Sequence, residues 1–302
     1  MATDSRPQPE TQLDTTVRSH NYYRNAVEKH WDPHEIDLEA DLEGAAELPE
    51  PAFEGLKQSL ALFGAGEESV TEDLAPLAVV LDDIGDQMFL TTQLYEESKH
   101  TDFFDRYWRE VVHAEEKRRG QELSSPTDEK WFNEPYDELF ERNERAMDRL
   151  LEDDSPENRA KAHCHYHLTI EGILAQTGYY GLTLAYGENE PDLPDLPGLV
   201  EGLKLIRSDE GRHVGFGMAQ LKSLVIDGDV EADLLRETVG ELVPLVQESL
   251  TSDDGASSEG GPGPSPSDLS EYAYHKHEQR MQQITTASEK IPEVEELTEL
   301  DA

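Results

Sequence analysis

The 302-residue sequence predicts an all-α fold, one helical domain of six to eight helices, and three observations carry that reading. Apolar residues recur three or four positions apart over long stretches, no segment keeps the two-residue alternation of a strand, and the breaks fall at proline, glycine and acidic clusters. A hydrophobic content of 36% is enough, at this length, for a substantial core.

The first fifteen or so residues are polar, contain proline and lack any period, so order is expected to begin near Tyr22. Trp31 to Asp37 reads as an extended lead-in, because the residue before Pro33 is pushed out of the helical region. The first long helix is expected from Pro51 to Leu81 on the stripe Leu56, Leu60, Phe63, Val70, Leu74 and Leu77, with a kink at Pro76. A second runs from Gly85 to Arg119 through Met88, Leu94, Phe103, Tyr107 and Val111, and a third from Trp131 to Leu151. Ser155 followed by Pro156 is an N-cap signal for a fourth helix, through Tyr166, Ile170 and Leu174 to Tyr186, which Gly187 stops. After the Pro-rich, acidic insert 188–197, helices are expected over Leu199–Ile226, Val230–Leu250 and Asp268–Lys290. These readings divide the chain into a disordered N-terminal tail (1–20), a helical domain (21–250), a Gly/Ser/Pro-rich linker (251–267) and a C-terminal helix with an acidic tail (268–302).

The net charge of −42, from 67 acidic and 25 basic residues, opposes a nucleic-acid backbone and an anionic membrane surface. With 15 Arg against 10 Lys, it fits a protein kept soluble in concentrated salt, and the cytoplasm of a halophile is the expected setting. Cys164 is the only cysteine, so no intrachain disulfide or Cys-rich metal site is possible. No stretch has the length of a membrane span or the apolar core of a signal peptide.

Glu97-x-x-His100 and Glu210-x-x-His213 each put a carboxylate and an imidazole on one helix face. Glu110-x-x-His113 repeats the spacing, but thirteen residues after Glu97 on the same helix it faces about 220° away, so it is read as accidental. Glu67 and Glu171 interrupt the apolar parts of two further helices, where a lone carboxylate would be costly. One Glu from each of two helices and Glu-x-x-His from each of two others is the donor set of ferritin-like helix bundles with a dimetal-carboxylate site in the core. Four carboxylates cancel two divalent cations, and hard oxygen donors with one imidazole per metal suit iron or manganese. Oxidation with O2 is the leading chemistry, and an iron store or ligand binder is the non-enzymatic alternative.

The order, spacing and neighbours of these residues resemble the ribonucleotide reductase small-subunit superfamily, and within it the R2-like ligand-binding oxidases. The likeness runs from about Tyr22 to Leu250 and rests on Trp31-x-Pro33-x-x-Ile36-Asp37, Gly66-Glu67-Glu68-Ser69-Val70-Thr71, Glu96-Glu97-Ser98-Lys99-His100 and Asp209-Glu210-Gly211-Arg212-His213. It implies a manganese site at Glu67, Glu97 and His100 and an iron site at Glu171, Glu210 and His213, with a di-iron pair as the variant. It also implies an ether cross-link between Val70 and Tyr166 made during O2 activation, a long-chain fatty acid over the metals, and a homodimer. Asp209 falls where the family orients a ligand histidine, and Tyr179 where it has a tyrosine near the site. The alternative within the superfamily is a radical-generating reductase subunit, but its radical tyrosine, four residues after the first ligand histidine, is Phe104 here. His167, one turn before Glu171, has the spacing of a ligand but no place in the family pattern, so it is read as packing behind the site; His163 and His165 have no assigned role.

Overall fold

The computed structural model describes residues 13–188, 192–250 and 265–298, and among them there are helices and no strand. Its helices are α1 (Arg18–Glu28), α2 (Glu39–Glu47), α3 (Glu50–Asp73), α4 (Ala75–Val80), α5 (Ile84–Tyr107), α6 (His113–Arg119), α7 (Glu134–Glu152), α8 (Pro156–His163), α9 (Gln176–Ala185), α10 (Pro197–Ile226), α11 (Ala232–Ser249), α12 (Pro266–Thr285) and α13 (Val294–Thr298). Two π-helical segments, Trp108–Val112 and Cys164–Ala175, join α5 to α6 and α8 to α9 without a break. The expected linker lies mostly outside the described residues, as do the first twelve residues of the expected tail, three residues of the 188–197 insert and the last four of the acidic tail.

Local chemistry accounts for the ends. Asp83 accepts from Gly85 N–H at 2.7 Å and caps α5, Asn133 Oδ1 accepts from Tyr136 N–H at 3.0 Å and caps α7, and Ser265 with Asp268 forms a capping box on α12. Ser155 does stand at the N-cap of α8 with Pro156 behind it, although its hydroxyl makes no capping bond. The expected 51–81 helix is broken instead of kinked: α3 stops at Asp73, because Pro76 has no N–H to continue the ladder, and Pro76 stands in the first turn of α4. Helix α1 starts at Arg18, inside the stretch expected as tail, and buries Ser19, Tyr22 and Ala26. Helix α12 ends at Thr285, short of the expected Lys290.

Helix α3 packs on α5, α10 packs on the second π segment and on α9, and α5 meets α10. Helices α3, α5 and α10 and the second π segment enclose the centre of the molecule. One apolar cluster, with Phe89, Tyr166, Leu174 and Phe216, closes it on one side; a second, with Phe63, Phe103, Tyr107 and Tyr179, closes it on the other. Each fully buried side chain of this kind contributes about 1.5–3 kcal/mol. The short α13 lies against α10 where Gly211 and Gly215 leave a notch: a Cβ on Gly211 would stand 2.0 Å from the Leu297 carbonyl oxygen. Arg18 holds the same segment by donating to Pro292 O at 2.8 Å and Ile291 O at 3.2 Å.

Candidate metal centre

Six side chains the sequence singled out meet in the middle of the bundle, each at most 5% exposed: Glu67 from α3, Glu97 and His100 from α5, Glu171 from the π segment, Glu210 and His213 from α10. Their donor atoms form two groups with every member within 4.8 Å of the others: Glu67, Glu97, His100 and Glu210, and Glu97, Glu171, Glu210 and His213. Glu97 and Glu210 belong to both. Each group contains one of the three-residue sets that the resemblance implies, with Glu97 and Glu210 reaching both. Glu110 and His113 stand apart as expected, Glu110 bound to Arg106 Nε at 3.1 Å and His113 Nε2 at 3.0 Å from Ser124 O.

Both imidazoles turn Nδ1 inward and Nε2 outward. His100 Nδ1 lies 3.3 Å from Glu67 and 3.4 Å from Glu97 and Glu210, and His213 Nδ1 lies 3.0 Å from Glu97 and 3.3 Å from Glu171. On the outside, His100 Nε2 is 3.1 Å from Asp209 Oδ2 and His213 Nε2 is 2.9 Å from Glu96 Oε2. A carboxylate behind each ring fixes the tautomer that presents a lone pair at Nδ1. The supports cross over: the acid before each Glu-x-x-His pair holds the histidine of the other pair. Asp209 was legible in the sequence. Its counterpart Glu96 was missed, although the acid doublets Glu96-Glu97 and Asp209-Glu210 carry the signal.

Arg212 Nη2 joins the two supports, donating to Glu96 Oε1 at 2.5 Å and also to Asp209. Asp209 receives Lys99 Nζ at 2.8 Å and Trp31 Nε1–H at 2.8 Å as well. Gln93, one turn before Glu97, donates to Glu171 Oε1 at 2.8 Å, and Tyr179 donates to Glu67. Tyr166 donates to Glu97 Oε1 at 3.0 Å. In an α-helix Tyr166 would be turned about 140° from Glu171, but these residues lie in the π segment, whose i→i+5 winding sets residues five apart on one face. His167 joins neither donor group; its Nδ1 is 3.1 Å from that of His163.

The electrostatics suit cations. Burial pushes the Glu67 and Glu171 carboxyls up to about 7, and it pushes Glu210 well up with the help of Glu97 and Glu171. Against its own burial, Glu97 is held low by His213 and His100, and both imidazoles are raised despite burial by the carboxylates around them. Protons thus occupy the space between the donors, and metal binding would displace them. Glu171 Oε2, Glu210 Oε2 and His213 Nδ1 are buried without a hydrogen-bond partner, as groups aimed at a common cation would be. Beside the centre, Leu62, Phe63, Val70, Phe140, Ile170 and Leu174 wall an apolar slot of about 20 Å³ that ends on Glu67, Glu97, Glu171 and Glu210.

The model of the ribonucleotide reductase small-chain family matches residues 17–254. The chain belongs to that family. Among solved structures this family member is similar to R2-like ligand-binding oxidases. One, a valine-to-leucine mutant with anaerobically reconstituted Mn/Fe cofactor, is 29% identical with a TM-score of 0.77, over 92% of this chain and 98% of that one. A glycine-to-leucine mutant with a non-activated Mn/Mn cofactor shows the same identity, coverage and TM-score. A tyrosine-to-phenylalanine mutant with aerobically reconstituted Mn/Fe cofactor is 28% identical, with a TM-score of 0.76 over the same shares of both chains. Among its described residues, no helix is long and apolar enough to cross a membrane.

Proposed function

We propose that this chain is a Mn/Fe, or alternatively di-iron, carboxylate oxidase that uses O2 on a bound, fatty-acid-like amphiphile and forms its own Val70–Tyr166 ether bond. The observation that carries the reading is the pair of half-sites sharing Glu97 and Glu210 at the blind end of an apolar slot. Glu67 and His100 would complete one metal's donors, Glu171 and His213 the other's. The metal pair, when bound, supplies the redox equivalents and the Lewis acidity for O2 reduction.

The protein's own part is positioning. Val70 lines the slot that ends on the carboxylates, and Tyr166 O–H donates to one of those carboxylates, Glu97, which supports the pairing. Burial and the surrounding carboxylates hold the Tyr166 phenol well above its ordinary range, so it keeps its proton until the cross-linking step, with Glu97 placed to accept it. The Val70 Cβ–H and Tyr166 O–H bonds break, a Cβ–O bond forms, and two protons and two electrons pass to O2. The metal pair, when bound, would supply the two further electrons, and two protons from solvent would complete the four that reduction to two waters requires. The slot as it stands holds about one water, so an acyl chain requires side chains of its apolar wall to move aside. Its carboxylate would then face the metals, and two copies of the chain would form the working dimer.

Peptide mass spectrometry after aerobic loading with manganese and iron tests this. The segments containing Val70 and Tyr166 should appear joined and lighter by two hydrogens, but not in anaerobic samples or in Tyr166→Phe; organic extraction should release the amphiphile, and native mass should give the dimer. Unlinked peptides from fully loaded, oxygen-exposed protein would sink the assignment. The family match also admits a radical-generating reductase subunit. Against it, Phe104 fills the position four after His100 and stacks on Tyr179 at 6.0 Å, and α13 is docked on the chain's own α10.

A further inference from the structure

Away from the metal centre, the surface of α10 carries a buried arginine that lacks the partner such a charge requires. Arg207 is 4% exposed, yet it pairs with no carboxylate among the described residues of a chain that has 67 acids. Its guanidinium has only the Tyr272 hydroxyl at 3.4 Å and the face of Tyr180 at 5.3 Å, and its Nε is buried with no hydrogen-bond partner. An unpaired buried charge costs several kcal/mol. It persists where something outside the chain completes it.

Arg207 lies in the wall of a cavity of about 260 Å³ between α10 and α12. Lys276 and Arg280, one turn apart on α12, line the same space, with Gln279 and Gln283 beside them. Among the described residues the only carboxylate in the wall, Glu296, is turned to the start of α13, where its Oε2 accepts from Glu293 N–H at 3.3 Å. Three cationic side chains thus line one cavity in a protein of net charge −42, Arg280 with its Nη1 also donating to Gly172 O, and the space is several times a water's share of about 30 Å³. Guanidinium forks and an ammonium arriving from two helices match the spread of oxygens on a phosphate better than a planar carboxylate.

We propose that the cavity between α10 and α12 binds a small phosphate-bearing anion, with Arg207 as its buried anchor and Lys276 and Arg280 closing on it from the C-terminal helix. Such an anion would tie α12 to the bundle. Its wall contains Arg207, Gly211 and Val214 of α10 and none of the six metal-donor side chains, so its occupancy does not depend on metals.

The test is calorimetric titration of inorganic phosphate into the full chain at constant ionic strength, with and without metals. Saturable uptake of one phosphate per chain in both states is expected, together with a phosphate-dependent rise in melting temperature. Arg207→Gln should weaken binding roughly tenfold or more and abolish that rise, while its melting temperature without phosphate stays level or increases, because the unpaired charge is gone. Lys276→Gln, at the rim of the fold, should weaken binding by a smaller factor and keeps the test alive if the Arg207 variant does not fold. Absence of saturable uptake, loss of uptake on metal removal, or wild-type binding by folded Arg207→Gln would overturn the proposal. Equal affinity for acetate would overturn the phosphate assignment.

Discussion

The two half-sites contain the same pieces, a lone Glu and a Glu-x-x-His histidine, but their surroundings differ in kind. The Glu67/His100 half is backed by ions: Asp209, behind His100, is held well below its usual range despite burial by His100, Arg212 and Lys99, and the Trp31 ring stacks on His100 at 6.2 Å. The Glu171/His213 half has one ion pair behind its histidine, Glu96 with Arg212, and is otherwise backed by neutral groups. Phe89 lies against His213 at 6.3 Å, Phe216 lies between Phe89 and the His163–His167 pair, and burial holds both of those histidines uncharged, His163 at about 3. Identical ligand types in unlike settings give two unlike sites, a physical basis on which two different metals can be told apart even though their preferred donors are nearly the same.

The largest effect should come from erasing the comparison altogether. Glu97→Gln or Glu210→Gln removes a donor from both halves and should nearly empty the protein of metal, whereas Glu67→Gln or Glu171→Gln should leave about one metal per chain. Elemental analysis of the four variants decides it, and equal losses in all four would refute the shared-carboxylate arrangement. Next, Asp209→Asn strips the ionic backing from His100, takes the carboxylate from Lys99, leaves Arg212 with Glu96, and should weaken metal binding about 10- to 100-fold. Glu96→Gln, whose carboxylate meets Arg212 but no lysine among the described residues, should do less; the reverse order would mean that backing does not distinguish the halves.

The smallest effect is a pH dependence confined to the neutral side. Folded His163 stays unprotonated down to about 3, while the unfolded chain takes its proton near 6.5, so the unfolded state binds more protons between those values. Its contribution is complete above 6.5 and is lost as the pH falls, by at most about 1.4 kcal/mol per pH unit. Urea midpoints measured from pH 7 to 4 should therefore fall less steeply in His163→Gln than in the wild type, and parallel curves would count against a neutral backing.

Much of this centre could be read from the sequence, for a definite reason. Glu97, His100, Glu210 and His213 are fixed by i, i+3 spacing, a local property, and Glu67 and Glu171 by the anomaly of an acid within an apolar stripe. The sharing of Glu97 and Glu210, and the crossed supports, depend on how α5 and α10 face each other, which no local spacing encodes. Helix α13 escaped because five residues show no period, and its docking depends on glycines in another helix. The π winding escaped for a subtler reason: from Cys164 to Ala175 only His165 and Ala175 are not fully buried, so there is no polar stripe from which to read a pitch.

That winding makes the segment sensitive to length rather than to composition. A π turn spends one residue more than an α turn on each hydrogen-bonded ring, so its register depends on the number of residues between Cys164 and Ala175 as much as on their identity. Deleting one residue between Tyr166 and Glu171 would leave every ligand present and every side chain native. It would also let the chain rewind and carry the phenol away from the carboxylates, so that Tyr166 would be lost to the centre without having been mutated.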